Sequence, residues 1–112
     1  MQKHEQIKSL HSIQKTVAEF ADRLNLSNEV HARLLDLASE VGELSKEYNK
    51  ITGYGKRPFS VHEDFVMELG DVLFCLLLIA NLSGIALEDL FAEVMAKMEE
   101  RAKKKEDIGS GR

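Results

Sequence analysis

Apolar residues recur at intervals of three and four along most of this chain, which is the spacing of residues on one face of an α-helix. The first stripe predicts a helix over about residues 3–24, and the second predicts a helix over about residues 28–50 with Ser27 as its N-cap. The stripes consist of Ile7, Leu10, Ile13, Val17, Phe20 and Leu24, and of Val30, Leu34, Leu37, Val41 and Leu44. No segment alternates apolar and polar residues for long enough to predict a β-strand.

A glycine-rich stretch at residues 52–58 is the clearest loop in the chain and separates the first two predicted helices from the rest. After it, Ser60-Val61-His62-Glu63 has the form of a capping box, which predicts a third helix over about residues 60–82. Ser83-Gly84 is predicted to end this helix, because glycine is the usual residue just past a helix C-terminus.

A fourth helix is predicted over about residues 86–105, and residues 106–112 are predicted to form a flexible tail. The inward-facing residues of the fourth helix are expected to be Leu87, Leu90, Phe91, Val94, Met95 and Met98. The chain is too short for two hydrophobic cores. The sequence therefore predicts the all-α class, with residues 1–112 forming one domain, a four-helix bundle.

The third predicted helix is apolar on every side beyond Asp71, so it has to be covered all round. Three further helices from a 112-residue chain barely provide that cover. We therefore expect a homo-oligomer, either a homodimer or a dimer of dimers. The alternative is a monomeric bundle with the third helix at its centre.

Composition excludes several classes of protein. A net charge of −4 gives no electrostatic reason to expect a nucleic-acid partner. Cys75 is the single cysteine, which excludes an internal disulfide framework and fits a reducing, cytoplasmic location. The polar first ten residues do not resemble a signal peptide. The apolar run Val72–Ala80 is nine residues long, short of the roughly 20 that span a bilayer, so no membrane association is expected.

Two short segments share a pattern of acid, apolar residue, glycine and acid: Glu40-Val41-Gly42-Glu43 and Glu68-Leu69-Gly70-Asp71. The second segment leads directly into the most apolar part of the chain, where carboxylates are costly to desolvate unless a positive charge meets them. Four converging acids without matching buried bases indicate a divalent cation. The alternative is a pair of amphipathic helices whose acids face water.

Helical spacing places the acids of each segment on one helix face. A glycine inside a helix destabilises the helix by about 1 kcal/mol relative to alanine. One use of Gly42 and Gly70 would be to let the backbones of the two helices approach closely where they cross. A site made only of oxygen ligands suits Mg²⁺, or alternatively Mn²⁺. The faces carry Glu40, Glu43 and Glu47 on the second helix and Glu68 and Asp71 on the third.

The arrangement Glu-x-x-Glu, spacer, Glu-x-x-Asp resembles the pattern of the MazG-like all-α nucleoside triphosphate pyrophosphohydrolases, a superfamily that also includes dimeric dUTPases. The spacer here is residues 44–67, a length of 24 residues. Leu37–Leu44 and Glu68–Phe74 are similar to the two metal-binding helices of that family. Ala80–Ile85, followed by a helix with Lys97-Met98, resembles its closing segment.

The resemblance implies a concrete activity. Such an enzyme cleaves a nucleoside triphosphate between the α and β phosphates and releases the monophosphate and pyrophosphate. Glu40, Glu43, Glu68 and Asp71 would then bind Mg²⁺, and Glu40 and Glu43 would be catalytic. Glu40 or Glu47 would take the proton from the attacking water. Removal of non-standard nucleotides is a hypothesis that rests on the same resemblance.

Substrate contacts are less well specified by the sequence. Lys97 lies where the family often has a phosphate-contacting lysine, and Lys56 and Arg57 in the glycine-rich loop are further phosphate candidates. The chain has no tryptophan, so base recognition would fall to Phe20, Tyr48, Tyr54 or His31.

The chain departs from the family pattern at Ser39, where many members have a glutamate, and at Arg101, where some have an asparagine. Two other classes of function therefore stay open. One is a metal- or nucleotide-binding regulatory helical module without turnover. The other is a structural helical oligomer whose acids are solvated.

Overall fold

The computed structural model describes residues 9–26 and 28–108, and within them it has four α-helices and no β-strand. In chain order the helices are α1 (Leu10–Arg23), α2 (Val30–Thr52), α3 (Glu63–Leu82) and α4 (Leu87–Ile108). α2 and α3 pack along each other as a helical hairpin, α1 packs against α3, and α4 makes its main contacts with α1. The predicted all-α fold class is confirmed.

The hydrophobic core lies where α1 crosses α3. Val17, Leu77 and Leu78 are buried there, with Phe74 packed against them. The ring of Phe74 meets that of Phe20 edge-on, with centroids 5.9 Å apart. Full burial of such side chains contributes about 1.5–3 kcal/mol each. The C-terminal half of α3 is therefore held on one side by α1 and on another by α2.

The start of α3 differs from the prediction. α3 begins at Glu63, and its N-cap residue His62 makes no side-chain capping hydrogen bond. The Ser60 hydroxyl instead lies 3.2 Å from Nε2 of His62, so the capping-box prediction was wrong. Glu63 and Asp64 in the first turn complement the positive end of the helix dipole in place of a cap.

α1 begins at a side-chain cap, whereas α2 does not. Ser9 caps α1 in a reciprocal capping box with Ser12. Residues 3–8 of the predicted first helix lie outside the described residues. Ser27, the predicted cap of α2, also lies outside the described residues. The N-cap of α2 is Glu29, which forms no side-chain capping hydrogen bond.

The loop between α2 and α3 has a left-handed backbone over three consecutive residues, Gly53, Tyr54 and Gly55, with φ values of 57°, 62° and 88°. Thr52 is fully buried beneath it, and its hydroxyl accepts a hydrogen bond from the Gly55 N–H at 2.9 Å. A Cβ atom on Gly53 would lie 2.7 Å from Nη1 of Arg57. The backbone conformation favours glycine at position 53, and an added methyl group there would also displace the Arg57 guanidinium.

A buried polar cluster ties α1, the end of α3 and the start of α4 together. Nε2 of Gln14 donates to Oδ1 of Asn81 at 2.9 Å and to the Ile85 carbonyl at 2.8 Å. Oε1 of Gln14 accepts from the Leu87 N–H at 2.7 Å, and Nδ2 of Asn81 donates to the Gln14 carbonyl at 3.0 Å. Because its amide has partners on both atoms, Gln14 is stable inside the core and fixes where α4 begins.

α4 extends away from the other helices beyond its first turn. Leu87 packs against the core, but Leu90, Phe91, Met95 and Met98 are each at least 40% exposed. The prediction that this stripe faces inward was therefore wrong for the single chain, because only the start of α4 reaches α1. The radius of gyration, 17.8 Å, exceeds the roughly 13 Å of a compact domain of this length.

α3 is longer than the nine-residue apolar run that stands out in the sequence. An 18-residue window within its 20 residues has a mean hydropathy of 2.0, enough to cross a membrane by length and composition alone. The core helix of a soluble protein meets the same criteria. Glu68 and Asp71 lie within this helix, where charges are costly in a bilayer. The absence of membrane association stays a prediction.

We predict that Gln14→Met destabilises the fold by about 2–4 kcal/mol, because the Leu87 N–H, Oδ1 of Asn81 and the Ile85 carbonyl lose their side-chain partner inside the core. Urea unfolding followed by circular dichroism would measure the change. The control is Lys15→Met at the exposed neighbouring position. Equal free energies of unfolding for the two variants would contradict the structural role of Gln14.

Candidate metal centre

α2 and α3 bring carboxylates from both acidic segments together along the line where the two helices meet. One side-chain oxygen from each of Glu40, Glu68 and Asp71 lies within 4.8 Å of the others. Glu40 and Glu68 are half-buried, whereas Asp71 is exposed, so the cluster opens to solvent on one side. We refer to these three residues as the carboxylate cluster.

The carboxylate cluster is electrostatically unfavourable as it stands. Loss of solvent around Glu68 raises the pKa of its carboxyl group, and the hydrogen-bonding carboxyl of Glu40 raises it further. The negative charges of Glu40, Asp71 and Glu43 act in the same direction. A cation bound among these oxygens would relieve the repulsion.

Glu43 and Glu47 follow Glu40 by about one and two turns on the same face of α2. Glu43 is exposed and is not part of the carboxylate cluster, although its charge acts on Glu68. Only 13% of the Glu47 side chain is exposed, and its Oε2 lies 3.4 Å from Nζ of Lys50. The metal-binding role of Glu43 and the catalytic roles of Glu40, Glu43 and Glu47 stay predictions.

The two glycines of the acidic segments do not serve the purpose expected from the sequence. A Cβ atom built on Gly42 or on Gly70 would meet no atom within 4 Å. The prediction that these glycines let α2 and α3 approach closely was therefore wrong. The hairpin brings its acids together through side chains that face each other across the helix contact, not through backbone proximity at the glycines.

Arg33 is a candidate functional residue that the sequence analysis missed. Its Nη2 lies 3.1 Å from Oδ2 of Asp36, and only 17% of its side chain is exposed. Nε of Arg33 is buried and has no hydrogen-bond partner among the described residues. The signal was available in the sequence, because Arg33 precedes Glu40 by seven residues and so shares its helix face.

Cys75 lies on α3, about one turn beyond Asp71, and is buried. Burial raises the pKa of its thiol, the charges of Glu40 and Asp36 raise it further, and that of Arg33 opposes them. A thiol with a raised pKa is a poor nucleophile. Cys75 is therefore a core residue.

Beyond the carboxylate cluster, towards the α2–α3 loop, lies an open cleft of about 430 Å³. Glu47 and Asp64 line it from the two helices, and Arg57 and His62 line it from the loop side. The guanidinium of Arg57 donates to the carbonyls of Lys50 and Ile51 at 3.3 and 3.4 Å. Arg57 therefore caps the C-terminal end of α2 as well as facing the cleft.

The other predicted substrate contacts are more dispersed. Tyr54, in the loop, is 81% exposed, and Lys56 beside it is also exposed. Lys97 lies on α4, which does not run alongside α2 or α3 in the single chain. The structure therefore does not bring Lys97 to the carboxylate cluster within one chain.

Three of the four residues considered for base recognition have other contacts. Tyr48 stacks on Phe59 with ring centroids 5.4 Å apart, and Phe20 packs edge-on against the core. His31 is exposed beside Glu29, with Nδ1 3.5 Å from its carboxylate. Roles for these side chains in binding a base stay predictions.

The residues of the carboxylate cluster fit a hard divalent cation. Oxygens that bind one Mg²⁺ lie about 3–4.2 Å from one another, somewhat closer than the 4.8 Å within which the three oxygens of the cluster lie. All three donors are carboxylates, the ligand type that Mg²⁺ and Mn²⁺ prefer. Small side-chain rotations would close the remaining distance.

Comparison with known proteins shows which family this chain resembles. The MazG nucleotide pyrophosphohydrolase domain matches residues 28–105. The uncharacterised protein YpjD of Bacillus subtilis is 40% identical over 75 residues, which cover 64% of this chain and 66% of YpjD. The crystal structure of YpjD, a candidate pyrophosphatase, superposes with a TM-score of 0.68 at 33% identity over 81% of this chain and 93% of that one.

The matched region contains α2, α3 and the carboxylate cluster, and it ends within α4. Both acidic segments, on which the resemblance seen in the sequence rests, lie within it. This chain belongs to the MazG nucleotide pyrophosphohydrolase family.

Proposed function

We propose that this protein hydrolyses nucleoside triphosphates between the α and β phosphates, using a divalent cation held by the α2–α3 hairpin. The observation that carries the proposal is the convergence of Glu40, Glu68 and Asp71, from both acidic segments, within 4.8 Å. Membership of the MazG family and similarity to YpjD support the reaction class.

Glu40, Glu68 and Asp71 would hold Mg²⁺, with Mn²⁺ as an alternative, and Glu43 would join them from the next turn of α2. The cation would neutralise phosphate charge and lower the pKa of a coordinated water. Because Glu43 is exposed, its side chain can turn toward the cluster at little cost in packing.

The hairpin's own residues would position the substrate and accept a proton. Glu40 or Glu47 would take the proton from the attacking water, since both line the same face of α2. Arg33, on that face, would donate hydrogen bonds from its guanidinium to a phosphate oxygen and so stabilise the negative charge that develops on the leaving pyrophosphate.

The cleft beside the carboxylate cluster would take another part of the nucleotide. Arg57 lines this cleft, and the neighbouring loop residues Lys56 and Tyr54 are exposed and able to approach it. Lys97 would contribute only through an arrangement of chains that brings α4 to this site. The substrate class is nucleoside triphosphates, with removal of non-standard nucleotides as the cellular role.

We further propose that the protein is cytoplasmic, self-associates and needs neither nucleic acid nor a membrane. Its negative net charge and single buried cysteine support this proposal. The exposed apolar residues of α3 and α4 support self-association.

Pyrophosphate release from a panel of ribo- and deoxyribonucleoside triphosphates, with Mg²⁺, is the direct test. We expect Glu43→Gln and Asp71→Asn each to lower kcat by about 100-fold or more. Loss of a residue that only supports a metal ligand already costs about 10- to 100-fold in activity. Glu99→Gln, an exposed acid on α4, should retain full activity.

Full turnover in both site variants would rule out the assignment of these acids. Metal-dependent stabilisation without pyrophosphate release from any nucleotide would instead identify a regulatory binding module.

Glu68→Gln should raise the melting temperature of the metal-free protein at neutral pH. The folded state raises the pKa of Glu68, so its ionised form destabilises the fold, and this cost grows as pH rises through that pKa. Glutamine mimics the protonated form. Calorimetry in EDTA measures the gain, which should shrink at acidic pH, where Glu68 of the wild type binds its proton.

The same Glu68→Gln variant should lose the thermal stabilisation that Mg²⁺ or Mn²⁺ gives the wild type. A lower melting temperature for the variant in EDTA would show that Glu68 is not repelled by its neighbours. An unchanged response to metal would remove Glu68 from the ligand set.

The roles of Arg33 and Lys97 can be separated by steady-state kinetics. We expect Arg33→Gln to lower kcat/KM for the preferred triphosphate by about 10- to 100-fold, the range for losing a charge-assisted hydrogen bond. Lys97→Gln should have a smaller effect, because α4 does not run alongside the hairpin. The opposite order would assign the phosphate contact to Lys97.

A further inference from the structure

The open cleft beside the carboxylate cluster is where the rest of a bound nucleotide would extend. Its volume of about 430 Å³ is within the range of small-molecule sites. Asp64 lines it from α3 and lies four residues before Glu68, which is about 6 Å along the helix axis on the same face. Glu47 lines it from α2 and lies two turns beyond Glu40. Both helices therefore lead from the cluster into the cleft.

The basic groups of the cleft already have partners within the protein. The Arg57 guanidinium donates to two backbone carbonyls at the end of α2. Nζ of Lys50 lies 3.4 Å from Oε2 of Glu47, and Nε2 of His62 lies 3.2 Å from the Ser60 hydroxyl. The two carboxylates that line the cleft repel a phosphate group. The cleft therefore favours the nucleoside end of a nucleotide over its phosphates.

Asp64 differs from the other charged residues of the cleft because its side chain has no partner. It forms neither an ion pair nor a side-chain hydrogen bond with any residue of 9–26 or 28–108. Asp64 is also exposed, so a ligand can reach it without breaking a contact within the protein. An ionised carboxylate accepts hydrogen bonds and donates none. The free polar group of the cleft is therefore an acceptor for N–H donors.

The other walls of the cleft suit a flat ring. Half-buried Ile51 adds an apolar side chain. A Cβ atom on Gly53 would lie 2.7, 3.0 and 3.1 Å from Nη1, Cζ and Nη2 of Arg57, so the glycine covers one face of the guanidinium. Its hydrogen bonds to the α2 carbonyls hold the group in place. A fixed guanidinium plane is a surface on which nucleobases stack.

We propose that this cleft binds the nucleobase of the substrate, and that Asp64 selects a base with an exocyclic amino group. The inference rests on the proposed function, because the carboxylate cluster has to hold the phosphates through its cation. Adenine, cytosine and guanine carry amino groups that donate hydrogen bonds, whereas thymine and uracil carry carbonyl oxygens that accept them. The carboxylate of Asp64 attracts an amino group and repels a carbonyl oxygen.

This assignment also gives the direction in which the nucleotide lies. The base is at the loop end of the hairpin, and the triphosphate extends past the cluster toward Arg33. Arg33 precedes Glu40 by seven residues on α2, whereas Glu47 follows it by seven, so Arg33 and the cleft lie on opposite sides of the cluster. Nε of Arg33 is buried without a partner among the described residues. An unpaired donor thus lies at the phosphate end and an unpaired acceptor at the base end.

Binding of 2′-deoxynucleoside monophosphates with Mg²⁺, measured by titration calorimetry, tests the cleft without turnover. Monophosphates have no bond between α and β phosphates. Three pairs of bases differ by replacement of the amino group with hydrogen: guanine and hypoxanthine, adenine and purine, and cytosine and 2-pyrimidinone. In the pair that binds most tightly, the amino form should bind about 10- to 100-fold more tightly, the range for a hydrogen bond to a charged group.

Substitutions at Asp64 assign this preference to its carboxylate. Asp64→Ala should abolish the preference, and Asp64→Glu should retain part of it. The matched control is Glu63→Ala, which removes a negative charge from the same first turn of α3 at a position that does not line the cleft. With triphosphates, Asp64→Ala should raise KM for the amino form and leave kcat unchanged. Circular dichroism would verify that each variant is folded.

The outcomes separate this inference from the proposed reaction. Equal binding within every pair, no binding of any monophosphate, or a preference that Asp64→Ala leaves unchanged would overturn the role of Asp64. Pyrophosphate release without an amino preference would support the reaction and refute this inference. An amino preference that depends on Asp64, without pyrophosphate release from any triphosphate, would support the cleft assignment and refute the reaction.

Discussion

The packing of α2 along α3 is the contact on which the rest of this structure depends. It brings Glu40, Glu68 and Asp71 within 4.8 Å of one another, an arrangement that like charges oppose. Apolar burial elsewhere in the fold, including the contact of α3 with α1 around Leu77 and Leu78, offsets this repulsion. The acids that would bind a cation therefore destabilise the fold when no cation is present. Such a conflict between stability and function is common at sites for charged ligands.

Polar contacts at both ends of the hairpin limit how it can move. At one end, Thr52 and Arg57 hold the α2–α3 loop against the last turn of α2. At the other end, Gln14 and Asn81 join α1 to the exit of α3 and the start of α4. The carboxylates lie between these two fixed points, so their spacing is set mainly by how closely α2 and α3 approach along their length.

Several features could be predicted because they depend on local spacing. The four helices, their approximate bounds and the end of α3 at Ser83 follow from the three-and-four apolar pattern and from glycine. The sharing of a helix face by Glu68 and Asp71 follows in the same way. The capping box at Ser60 failed, because a matching short motif does not ensure that the chain is already helical at that residue.

The sequence by itself determined the helical class, the family and the acids that belong together, since each depends on residues a few positions apart in the chain. Only the tertiary structure decided that three of the acids meet while Glu43 stays outside the cluster, that Arg33 lies on their face, and that α4 points away. These outcomes depend on how α2 packs against α3 and on the direction in which the hydrogen bonds of Gln14 start α4. Contacts between residues 67 to 73 positions apart, such as those of Gln14, leave no periodic signal in a single sequence.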